Sequence, residues 1–178
     1  MIVASVTEEL LYTALRGFLL PIVDGEVFKT QDNGVPMPNG PFATMTTLRV
    51  DGLSTDKKVW ADTGSSSTSS MKHTRSSQWA VQVDVYGDMA MDRATGAAAL
   101  VRTDYACDLF AATGIDMAPL YAGEPHQTTM INAEQQYEDR WTFDVMFQFN
   151  PIYTVPQQYA DLLAINLAEI DATFPPED

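Results

Sequence analysis

The chain has 178 residues, 46% of them apolar, which suits one domain with a sizeable core. Its 24 acidic residues against 10 basic ones give a formal charge of −14, which excludes tight binding of nucleic acid, because holding phosphates takes clustered Lys and Arg. A single cysteine, Cys107, excludes an intrachain disulfide framework, and no stretch approaches the roughly 18 apolar residues of a membrane span.

The N-terminus, MIVASVTEEL, has neither a basic segment nor a long apolar run, so the protein is expected to be soluble and intracellular when made. Ser5 followed three residues later by Glu8 is a capping-box signature, and Leu11, Leu15, Phe18 and Leu19 continue at helical spacing. A helix is predicted from Ser5 to Leu20, stopped by Pro21. A short strand over Glu26 to Thr30 then gives way to a fixed loop, in which Asn33-Gly34, Pro36, Pro38 and Asn39-Gly40-Pro41 fit neither sheet nor helix.

Phe42 to Val50 reads as a strand with Phe42, Thr44, Thr46 and Leu48 on one side. Asp56-Lys57-Lys58 predicts a polar turn, and Val59-Trp60 the end of a short strand. Residues 64–77 are Ser- and Thr-rich and carry Lys72, His73 and Arg75, a basic cluster in an acidic chain. So little apolar surface does not offset the entropy of ordering, so a mobile loop is expected, either simply solvated or projecting toward a partner.

Gln78 to Tyr86 alternates, with Trp79, Val81, Val83 and Val85 on one side, and is predicted to be a half-buried strand. Through Gly87-Asp88 it feeds one long helix from about Met91 to Thr113, ended by Gly114. Cys107 falls on the apolar stripe of that helix and reads as a buried thiol. Ala118 to Pro125 is expected to be a connection and Gln127 to Gln136 a strand.

Trp141 to Phe149 is the clearest strand, with Trp141, Phe143, Val145, Phe147 and Phe149 on one face and Asp144 and Met146 on the other. Its expected neighbour is the Trp79 strand, since cross-strand aromatic pairs stabilise sheets. In the tail, Tyr159, Leu162, Leu163, Leu167 and Ile170 fit a helix, but the prolines at both ends favour a short turn followed by an arm over 151–178. No internal repeat is present. The fold class expected is α+β, a twisted, mainly antiparallel sheet with helices packed on one face, in a single domain over 1–178 with extended loops or an arm.

The search for chemistry returns absences. His73 and His126 make no zinc pattern, and there is no nucleophile elbow, phosphate loop or dinucleotide turn, so no cofactor is expected. Asp84, Asp88 and Asp92 surround the end of the central strand, where a metal-dependent hydrolase could place Asp84 and Asp88. Asp88 and Asp92 equally read as residues that cap a helix start and complement its dipole.

The segments ELLYTALRGFLLPI, VPMPNGPFATM, QWAVQVDVYGDMA and RWTFDVMFQFNPIYTVPQQYADLL together resemble the tail terminator (neck terminator) proteins of tailed bacteriophages. That resemblance implies a non-enzymatic virion protein of the tail or neck, assembled in the bacterial cytoplasm. It implies a homo-oligomer, a hexameric ring, that caps the tail tube, ends its polymerisation and joins it to the head-tail connector. DNA would pass through without specific binding, which the acidity suits. Another neck or tail component, such as a tail-completion or head-closure protein, is the nearest alternative. The interface residues expected are Val35, Met37 and Phe42 in the Pro-Gly loop, Lys72, His73 and Arg75 in the Ser-rich segment, and Asp144 and Met146 on the polar face of the Trp141 strand.

Overall fold

A computed structural model describes residues 2–30, 38, 40–65, 67–131 and 135–157. The first half of the chain runs β1 (Val3–Ala4), α1 (Glu8–Val23), β2 (Glu26–Lys29), β3 (Phe42–Gly52), β4 (Lys57–Ala61), β5 (Ser70–Thr74) and β6 (Ser77–Tyr86). The second half runs α2 (Ala90–Leu100), α3 (Asp104–Ala112), β7 (Met117–Ala122), β8 (His126–Gln127), β9 (Met130–Ile131), β10 (Tyr137–Glu138), β11 (Arg140–Phe149) and β12 (Ile152–Pro156). The mainly antiparallel α+β architecture is the one expected.

The main sheet has the order β2-β3-β6-β11-β7, with β8 also on β11, and only the β2–β3 pairing is parallel. Alternation decides its two faces. Trp79, Val81, Val83 and Val85 of β6 stand beside Phe147, Val145 and Phe143 of β11 and beside Ala43 and Met45 of β3, and all are buried. Strand β11 does pair with the Trp79 strand, but antiparallel, so Trp141 faces Val85 and Phe147 faces Trp79, with ring centroids 5.5 Å apart.

The helices cover this face. From α1, Leu11, Leu15, Phe18, Leu19 and Val23 join the core, each stabilising the fold by about 1.5–3 kcal/mol relative to exposure. The buried residues of α2 are all alanines, small enough to let its backbone approach β6 and β11 closely. Phe110 of α3 closes the layer, with its ring 5.6 Å from Phe18 and 5.1 Å from Phe147.

Several local expectations are corrected. The cap of α1 is Thr7, whose Oγ1 accepts from Leu10 N, while Ser5 Oγ accepts from Ile152 N in the neighbouring strand. The helix also runs past Pro21 to Val23, because the fully buried Leu19 and Val23 anchor its last turn and Asp24, in the left-handed region, caps it. The proline and Gly17, whose carbonyl loses its amide partner, both lie on the exposed side.

The single long helix is two. Thr103 adopts extended backbone, its Oγ1 donates to Leu100 O at 2.7 Å, and Arg102 is held by Ala122 O at 2.6 Å. The break changes the phase of the stripe, so Ala106 and Phe110 point inward while Tyr105 and Cys107 are exposed. The thiol is therefore not a core group. Gly114, at φ 70°, follows the second helix as expected.

The other differences are strands gained. Lys57 and Lys58 belong to β4 rather than a turn, residues 70–74 of the Ser-rich segment form β5, 117–122 form β7 rather than a connection, and 152–156 form β12 rather than the start of an arm. Backbone pairing with neighbours distant in sequence supplied what their composition did not. Of the described residues in the stretch 127–136, only Gln127, at the end of β8, and Met130–Ile131 are strand, with 132–134 outside the described residues. The predicted turn and arm after 157 also lie outside them.

The gained strands make a second sheet of order β1-β12-β5-β4. None of its strands packs against a helix in the way β6 and β11 do. It carries β4 at one edge.

Candidate assembly surfaces

The face of the main sheet turned away from the helices holds one built polar cluster. Asp84 on β6 is 2% exposed and lies directly opposite Thr142 on β11 and Thr44 on β3. Its carboxylate accepts from Thr142 Oγ1 at 2.6 Å, from Arg140 Nη2 at 3.0 Å and Nε at 3.2 Å, and from Gln82 Nε2 at 2.9 Å. A buried carboxylate held by an arginine and two neutral donors is satisfied by the protein itself.

Tyr86, next along β6, lies 5.7 Å from the Arg140 guanidinium carbon and stacks on Phe42, centroids 4.4 Å apart. Burial first, and the Asp84 carboxylate second, push its phenol above the ordinary value, with Arg140 pulling the other way.

This geometry bears on the metal reading of Asp84 and Asp88. A cation at Asp84 would have to displace Arg140 and Thr142, and Asp88 lies exposed in the turn beyond the strand. Asp88 does not cap α2 either, since Met89 occupies that position without a side-chain bond; Asp92 does stand in the first turn. No group of three or more His, Cys, Asp or Glu placed to hold a metal occurs among the described residues.

The expected interface residues divide between two surfaces. Phe42, Asp144 and Met146 share the outer face of the main sheet, but Phe42 is stacked between Phe28 and Tyr86 and buried, as is Met146, and Asp144 is half-buried. Buried side chains of this kind hold the sheet together and do not project. Val35 and Met37 lie outside the described residues.

Lys72, His73 and Arg75 fall on or beside β5, in the second sheet. His73 Nδ1 meets Asp56 Oδ2 at 2.6 Å, and Arg75 Nε donates to Ser54 O at 3.0 Å, tying the β3–β4 connection to the end of β5. Lys72 is exposed and has no ion pair among the described residues. Cross-strand register sets Lys72 in a row with Val59, Thr154 and Val3, and the row beside it on the same face holds Lys57 and Ile152. Val3 and Val59 are 59% and 44% exposed. The result is one face on which the apolar Val3, Val59 and Ile152 stand among two threonines, Thr74 and Thr154, and two lysines.

Sequence reasoning missed both assemblies. The Asp84 cluster left a signal: opposite charges on the polar sides of two strands expected to pair. The second sheet left little, since β1, β5 and β12 are short and come from distant parts of the chain.

No helix among the described residues is long and apolar enough to cross a membrane. No curated protein matches the chain. The family model described as phage neck terminator protein matches residues 9–175, almost the whole chain. The chain therefore belongs to the phage neck terminator family, structural proteins of the neck and tail of the virion.

Proposed function

We propose that this protein forms a closed six-membered ring that caps the finished tail tube, ends its polymerisation and joins it to the head-tail connector. The observation that carries this reading is the family match over residues 9–175. The role is structural and involves no catalytic step. Assembly takes place in the bacterial cytoplasm, and DNA passes through the ring without being held, as a chain of formal charge −14 allows.

A ring of head-to-tail contacts needs two different patches on each subunit. The exposed face of the second sheet is available as one of them. A tail-completion or head-closure role in the same neck is the second reading, supported by the same family description.

The test is twofold. Light scattering of the full chain over a range of concentrations should give the mass of six subunits, and particles made without the protein should carry tails of uncontrolled length under the electron microscope. Tails of normal length that fail only to join heads would replace termination with head closure.

A further inference from the structure

The charge of the chain is unevenly placed. Between Arg49 and Arg75 there are five basic residues against three acidic ones, a net +2, while the remainder has five basic against 21 acidic, a net −16. The positive segment is the β4–β5 hairpin with its flanks. Two of its charges, Lys57 and Lys72, are exposed on the same face as Val3, Val59 and Ile152. Neither lysine has an ion pair among the described residues.

The negative charge includes exposed residues of α2 and α3. Asp92 of α2 and Asp104 and Asp108 of α3 are exposed there, also without an ion pair among the described residues, and Met91 and Tyr105 beside them are 54% and 48% exposed. Arg93 and Arg102, on and just after α2, are directed to the backbone carbonyls of Asp88 and Ala122 and leave the three carboxylates unpaired. Each surface thus combines exposed apolar side chains with charge that no ion pair among the described residues neutralises, and the signs of the unpaired groups are opposite. Complementary potentials of this kind steer association and fix its register.

We propose that the exposed face of the second sheet docks on the outer side of the α2–α3 layer of a second copy of this chain. The inference rests on the ring reading and names its two patches. They are different surfaces of one subunit, as a head-to-tail contact requires. The contact is made by the face of the sheet and not by strand addition at its edge, because Lys57 and Lys58 on edge strand β4 discourage another strand from pairing there.

The test uses the full chain and three variants: Lys57→Glu/Lys72→Glu, Asp104→Lys/Asp108→Lys, and all four substitutions together. All the substituted positions are exposed, and circular dichroism with thermal unfolding confirms that each variant folds. The mass is followed by light scattering across concentration at low and high salt. Each pair alone should raise the concentration at half-assembly by about tenfold or more, high salt should do the same to the natural chain, and the fourfold variant should recover. Assembly of the natural chain that neither reversal weakens would overturn this surface and leave the ring standing. A natural chain that stays monomeric at every concentration would overturn both. If reversal leaves the mass unchanged but abolishes binding to purified tail tubes, the hairpin docks on the tube instead, and the inference is wrong.

Discussion

Thr142 and Asp84 face each other directly across β11 and β6, and the threonine hydroxyl donates to the carboxylate at 2.6 Å. With Arg140 and Gln82 completing the shell, the cluster ties the two central strands together on the side the helices leave uncovered. Asp84→Ala would strand three donors around a buried site and is expected to destabilise the fold by about 1–3 kcal/mol. Asp84→Asn, which keeps an acceptor, should cost less. Urea unfolding of the two variants ranks them, and equal losses would mean that a neutral acceptor contributes nothing and that the carboxylate charge toward Arg140 carries the whole effect.

The same cluster predicts a pH response. Burial and the Asp84 carboxylate raise the Tyr86 pKa above the ordinary value near 10. The folded state therefore holds the phenolic proton more tightly than the unfolded chain. Its contribution is complete below about pH 10 and is lost as the pH rises from there toward the folded value. Tyr86→Phe has no such proton, so its urea midpoint should fall less between pH 8 and pH 10.5 than that of the natural chain. Parallel declines would remove Tyr86 from the explanation.

Gly25 lies where the end of α1 and the start of β3 come together. A Cβ at this position would land on the carbonyl oxygen of Pro41, a backbone atom that has little room to retreat. Gly25→Ala is expected to cost about 1–3 kcal/mol, as overpacking does. Thermal unfolding gives the value, and a variant as stable as the natural chain would show that the Pro41 turn shifts freely.

Pro21 removes one hydrogen bond from the last turn of α1, at a position where the helix is held by Leu19 and Val23. Pro21→Ala restores the amide opposite Gly17 O and relieves the ring, against a gain in unfolded-chain freedom worth about 0.4–1 kcal/mol. A net stabilisation of about 2 kcal/mol is expected in calorimetry, from the roughly 3 kcal/mol cost of a proline inside a helix less that gain. A destabilised variant would show that the proline fixes the turn into Asp24.

Residue periodicity was enough to specify the elements whose own residues repeat at the period of the element: α1, the β6 and β11 strands, their inner faces and their pairing. Binary alternation specifies which side of a strand is buried without reference to anything else. Three of the four segments that carry the family resemblance contain these elements. Tertiary structure alone decided where periodicity gave way to geometry. It split the long helix at Thr103, so that Phe110 reaches Phe18 and Phe147 while Cys107 is exposed. It continued α1 past Pro21 because the core holds Val23. It also made a sheet from β1, β4, β5 and β12, whose backbone groups find partners far away in the chain, a relationship that local composition does not encode. The face of the second sheet belongs to this second class: Lys57, Lys72, Val3 and Ile152 share it only because four short strands from three regions of the chain lie side by side.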